Sequence, residues 1–109
     1  MIILRTIMNV LPEKQKEALQ TFVSLIEPQG KEIGYLSYGI FSDIEDKNVF
    51  NLISEWKTRK QLNQHMKSAR FSVLLGTRSL LCEPLIIQIL KVSDSEGIEA
   101  VNSARQKRI

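Results

Sequence analysis

The segment Leu85–Val92 (LIIQILKV) is apolar on both sides of any strand it forms. Leu85, Ile87 and Ile89 alternate with Ile86, Leu90 and Val92. Strands of that kind belong where both faces of a sheet are covered. The first ten residues pose the same demand, with Ile2, Leu4 and Met8 on one side and Ile3 and Ile7 on the other. A chain of 109 residues is one ordinary domain, with little material to cover a sheet twice.

The pattern between these strands supplies one layer of cover. Residues 1–10 read as a strand, and Pro12 suits the first turn of a helix, where its missing N–H costs nothing. From Glu13 to Glu27 the residues Ala18, Leu19, Phe22, Val23, Leu25 and Ile26 form an apolar stripe, which Pro28-Gln29-Gly30 stops. Gly34–Phe41 alternates Tyr35, Ser37, Gly39 and Phe41 with Leu36, Tyr38 and Ile40. Asn48–Lys57 alternates Val49, Asn51, Ile53 and Glu55 with Phe50, Leu52, Ser54 and Trp56. The polar link 42–47 makes the two an antiparallel hairpin. Thr58-Arg59-Lys60-Gln61 has the form of a capping box ahead of a helix with Leu62, His65, Met66 and Ala69 on one face. A second helical stretch, Ser68–Cys82, gathers Phe71, Leu74, Leu75, Arg78 and Leu81, with Gly76 weakening or bending it. Glu83-Pro84 ends it before the last strand.

The order is βαββαβ, the ferredoxin-like split arrangement of an α+β domain over residues 1–93, with both helices on one face of the sheet. The other face, on the order of 400 Å² for four ordinary strands, is too apolar to leave wet. A second copy meeting it sheet to sheet is the economical cover, which predicts a homodimer. The segment 94–109 has too few large apolar residues to do this alone. Ile98, Val101 and Ala104 at helical spacing leave a short docking helix and a frayed tail both open.

Composition narrows the function classes. Apolar and charged residues at 43% and 25% are those of a globular domain, and no apolar run approaches the roughly 18 residues of a membrane span. Met1–Arg5 lacks the features of a signal peptide. Cys82 is alone, so no intrachain disulfide forms and a reducing, cytoplasmic setting is expected. One His and one Cys exclude a structural zinc site in a single chain. The basic stretch Lys57, Arg59, Lys60, Lys67, Arg70 and Arg78 is read as a solvated helix face. No nucleic-acid motif or interleaved aromatic accompanies it, so no nucleic-acid partner is expected.

Several local patterns together resemble the antibiotic biosynthesis monooxygenase family of dimeric α+β-barrel proteins. They are Gly34-Tyr35-Leu36-Ser37-Tyr38, Glu55-Trp56, and Leu62-Asn63-Gln64-His65-Met66-Lys67-Ser68-Ala69-Arg70-Phe71. The resemblance covers nearly all of residues 1–92. It implies a dimeric barrel and, in the enzymatic members, oxidation of a hydroquinone or polycyclic phenol by O2 with no metal or flavin cofactor. The alternative is a non-catalytic small-ligand-binding or stress-response dimer of the same fold. A haem-degrading branch of the family has a Trp where His65 stands and a proximal His about one turn after Phe71. This chain has Ser72-Val73-Leu74-Leu75 there, which argues against haem.

The resemblance implies His65 as catalytic acid/base, and it is the only side chain here whose unperturbed titration lies near neutrality. The structural alternative is a hydrogen-bonded histidine at the edge of the core. Trp56, Tyr38, Phe50 and Phe71 are candidates for the walls of a pocket around a small aromatic ligand, or else plain core. Arg5, inside an apolar strand with Asn9 on the same side, needs a partner, for which Glu55 or a bound anion would serve. Arg70 stands just before Phe71, where relatives carry a second histidine or another residue. Either arginine could hold an anionic oxygen. Cys82 is expected to be buried at a helix end.

Overall fold

A computed structural model describes residues 1–26 and 33–106 of the chain. β1 (Ile2–Asn9) leads through a 3-10 turn at Pro12–Lys14 into α1 (Gln15–Ile26). β2 (Tyr35–Ser42) and β3 (Val49–Trp56) form the expected hairpin, followed by α2 (Arg59–Met66), α3 (Ala69–Leu75), β4 (Ile86–Lys91) and α4 (Ile98–Arg105). The sheet order is β2-β3-β1-β4 with every neighbour antiparallel, the ferredoxin-like arrangement. The expected Pro28-Gln29-Gly30 stop lies outside the described residues.

Register follows the hydrophobic pattern. Ile2, Leu4, Thr6 and Met8 of β1 share a face with Phe50, Leu52, Ser54 and Trp56 of β3, and all eight are buried. Against them pack Ala18, Phe22 and Leu25 of α1, Leu62 and His65 of α2, and Phe71 and Leu74 of α3. The stripe read on α1 divides here: Leu19 and Val23 face outward, because the core takes only the i, i+4, i+7 row.

Three local expectations change. Ser68 caps α3, so Ala69 opens a new helix instead of extending the face of α2. At Gly76 the α-helix ends and a 3-10 turn runs Gly76–Leu80. Its tighter winding brings Thr77 and Leu80 inward, leaving Leu75 and Arg78 exposed. Leu81 then bridges Val10 in the antiparallel sense and is buried, so the adjacent Cys82 is exposed, not buried.

On the far side of the sheet, Ile3, Arg5 and Ile7 of β1 align with Glu55, Ile53 and Asn51 of β3, and with Leu90, Gln88 and Ile86 of β4. Phe41 is 55% exposed there, Ile86 50% and Leu90 44%. Among the described residues the last segment does not cover this face. It forms α4, none of whose residues is buried, with Ile98 and Val101 exposed. Among the described residues no helix is long and apolar enough to cross a membrane.

Gly34 has φ +85° and its carbonyl accepts the Lys57 N–H at 2.9 Å, fixing the entry to β2 against the end of β3. A Cβ at this position would collide with the Gln61 side chain. Gly34→Ala therefore meets both a left-handed backbone and a filled space. It is expected to lower stability by about 1–3 kcal/mol. A shift of the urea midpoint at unchanged slope would register this, and an unshifted midpoint would contradict it.

Candidate functional site

The end of β3 places Trp56 on the inner face, fully buried, with its indole N–H donating to Ser54 Oγ at 2.9 Å. Two residues later Thr58 caps α2, its hydroxyl oxygen accepting the Gln61 N–H at 3.2 Å. Half of the expected capping box is thus formed, while Gln61 Oε1 accepts the Thr58 hydroxyl at 3.1 Å in place of the Thr58 N–H. His65 lies nearly two helical turns beyond the cap, on the inward side with Leu62. It is 3% exposed, and its Nε2 is buried. A second cap, Ser68 Oγ accepting the Phe71 N–H at 3.2 Å, starts α3 and turns Phe71 back toward the same point.

The result is an imidazole among aromatic rings. Trp56 lies 4.5 Å from His65 between centroids, tilted by 31°. Phe71 meets it edge-on at 5.5 Å and Tyr38 edge-on at 6.3 Å. Tyr35 completes the group, 6.0 Å from Trp56 and 6.5 Å from Tyr38. An open depression of about 260 Å³, lined by Ile33, Gln61, Gln64, His65 and Ser68, borders the imidazole. Chemically, this is a proton acceptor and donor in a weakly polar setting with aromatic surfaces on several sides.

Tyr35 is the member that sequence reasoning missed. Strict alternation puts it with Ser37 on the open face. The register between β2 and β3 shifts between Tyr35 and Ser37, a β-bulge that turns Tyr35 onto the side of Tyr38 and Trp56. The only signal in the sequence is Gly34 just before it.

The other candidates lie apart or at the margin. Phe50 shares the inner face but packs edge-on against Phe22 at 5.9 Å, under α1. Arg70 is half-buried in the first turn of α3, beside Phe71. Arg5 is on the opposite face of the sheet from His65. Its Nε donates to Asn51 Oδ1 at 2.9 Å and its Nη1 to Gln88 Oε1 at 3.4 Å. Glu55 does not serve as its partner and instead accepts from Ser37 Oγ at 2.7 Å. Both Asn51 and Glu55 are diagonal neighbours of Arg5 in the ladder, and the guanidinium takes the Asn51 side. Among the described residues no three His, Cys, Asp or Glu side chains converge to hold a metal ion.

The model of one family, antibiotic biosynthesis monooxygenase, matches residues 1–74, a stretch that includes Trp56, His65 and Phe71. The chain belongs to that family. It is 28% identical over 95 residues to the Bacillus subtilis protein named "Putative monooxygenase YcnE", covering 86% of this chain and 100% of that one. The crystal structure of a conserved protein from Methanosarcina mazei Go1 superposes with a TM-score of 0.77 at 30% identity, over 83% of this chain and 90% of that one. Rv0793 from Mycobacterium tuberculosis shares the fold, with a TM-score of 0.79 at 18% identity over 88% and 98% of the two chains. In this antibiotic biosynthesis monooxygenase family member, the turn at Gly76–Leu80, β4 and α4 lie beyond the matched residues.

The buried indole N–H has one partner, and its loss can be measured. Ser54→Ala leaves that donor without its acceptor and is expected to destabilise by about 1–3 kcal/mol. Ser54→Thr keeps a hydroxyl in reach and should recover most of the loss. Equal urea midpoints for the Ala variant and the parent would refute the assignment.

Proposed function

We propose that this protein is a cofactor-independent monooxygenase acting on a small electron-rich aromatic, a hydroquinone or phenol, with O2. The observation that carries the reading is His65, buried with aromatic rings on several sides and bordered by an open depression. His65 takes the phenolic proton. The resulting phenolate passes electrons to O2 itself, so the chain supplies a base and a weakly polar setting instead of a redox group. For a hydroquinone, one oxygen atom enters the ring and the other leaves as water. The substrate supplies all the electrons, and the product is a hydroxyquinone. Trp56, Tyr38 and Phe71 pack on the imidazole and keep its setting weakly polar. The substrate approaches His65 from the depression, and Arg70, half-buried in the first turn of α3, is the cation proposed for its oxyanion.

Oxygen consumption with a panel of hydroquinones tests this. The parent should consume O2, and His65→Phe should lose at least about a hundredfold, the lower range for a general base. His65→Gln serves as a second variant should Phe disturb packing. Uptake that persists in both variants would remove His65 from the chemistry.

One feature favours a second reading, a non-catalytic small-ligand-binding dimer. Trp56 is fully buried and does not line the depression beside His65, so the rings are packed on the imidazole. A parent that consumes no O2 with any hydroquinone, yet binds aromatic ligands, would establish that reading in place of the first.

In either case the protein is proposed to work as a homodimer joined through the open sheet face. Phe41, Ile86 and Leu90, exposed in a single chain, support this. The parent should sediment at twice the 12.5 kDa chain mass. Ile86→Glu with Leu90→Glu should sediment as a folded protomer, since both positions are exposed in one chain. A parent that sediments as a single chain at micromolar concentration would overturn the dimer.

A further inference from the structure

A cavity of about 480 Å³ opens between the start of α2 and the paired ends of β1 and β4. Ile2 and Ile89 give it an apolar floor, and Lys57, Arg59 and Lys91 stand around it with Thr58. None of these residues belongs to the ring cluster at His65. The site therefore stands or falls separately from the oxidation reading.

The charges here run against what the local structure favours. Carboxylates stabilise a helix N-terminus and cations destabilise it. The first turn of α2 carries no acidic residue and instead has Arg59 and Lys60, with Lys57 just before the cap. The N–H groups of Arg59 and Lys60 open the helix and have no intrahelical acceptor, while the Thr58 hydroxyl is engaged with Gln61. Lys91 arrives independently, 34 residues along the chain. It pairs with Ile2 in the ladder and so sits on the helix side of β4, in line with Ile87 and Ile89. Among the described residues no carboxylate forms an ion pair with Lys57, Arg59 or Lys91. Three cations from two separate elements thus border one apolar hollow of a size that suits small ligands. Local conflicts of this kind concentrate at functional sites.

We infer that this cavity binds an organic anion. Its apolar body rests on Ile2 and Ile89, and its carboxylate, sulfonate or phosphate group meets Lys57, Arg59, Lys91 and the first N–H groups of α2. The charged group gives direction and salt dependence, and the apolar floor distinguishes such a ligand from an inorganic ion.

The test compares naphthalene-2-sulfonate with the neutral naphthalene-2-sulfonamide, followed through the backbone amide resonances of the full chain. The sulfonate should bind saturably, moving the amides of residues 57–61 and 89–91, and should weaken as salt is raised. Lys91→Gln should weaken it about threefold, and the combined Lys57→Gln, Arg59→Gln, Lys91→Gln variant by more than about tenfold. All three side chains are exposed, so the variants should keep the parent's amide dispersion. Equal affinity for the two probes, shifts scattered over the surface, or a triple variant that binds as the parent does would each overturn the inference. Inorganic phosphate binding as tightly as the sulfonate would overturn the apolar part of it.

Discussion

The pairing of β1 with β3 decides what the rest of the molecule can do. Because side chains alternate along a strand, a slip of one residue would exchange Ile2, Leu4, Thr6 and Met8 for Ile3, Arg5, Ile7 and Asn9 on the face under the helices. Trp56 sits at the end of that inner row. The N-cap of α2 follows it by two residues, and the helix carries His65 back to the same side as its start. The 4.5 Å contact between the two rings is thus set by strand register and helix period. No separate device is needed to bring them together.

Around that contact the molecule relies on short-range polar bonds to orient apolar groups. Ser54 holds the indole, Thr58 fixes where α2 begins, and Ser68 fixes where α3 begins and so where Phe71 points. Each bond is modest in net stability. Their effect on direction is larger, because each sits where a ring or a helix axis turns on it. The aromatic group is consequently held on regular elements, β2, β3, α2 and α3, and not on loops.

How much of this was legible in the sequence depended on whether the local signal was periodic. The strand and helix order, the inner row of β3, the Thr58 cap and the inward place of His65 all follow from alternation, helical spacing and cap chemistry. Tyr35 escaped because a β-bulge adds one residue and reverses parity, and alternation carries no mark of it beyond the preceding Gly34. The outward turn of Leu75 and Arg78 escaped because the α-to-3-10 change at Gly76 alters the period within one segment. Arg5 finds its protein partners in Asn51 and Gln88, and Glu55, one of the two partners the sequence suggested, bonds Ser37 instead. Both diagonal neighbours offer an acceptor, and the Ser37 hydroxyl that engages Glu55 comes from β2, a cross-strand pairing that a list of residues does not encode.

The open face carries its own argument about specificity. Apolar surface alone would attract any partner, and sheet edges and faces of that kind are aggregation hazards. Here the centre of the face is polar. Arg5 commits only two of its five N–H donors, to Asn51 and Gln88, and Glu55 accepts a bond from Ser37. One cation and one anion lie on the same face, so a second copy meeting it would have to match both. In the proposed two-fold dimer each copy presents both members of the pair. A misregistered copy would bury the guanidinium with donors unmet, a larger penalty than the apolar contact of one side chain returns. In the proposed dimer the polar centre would thus select among the ways two apolar sheets could meet, with the surrounding Ile, Leu and Phe side chains supplying the attraction.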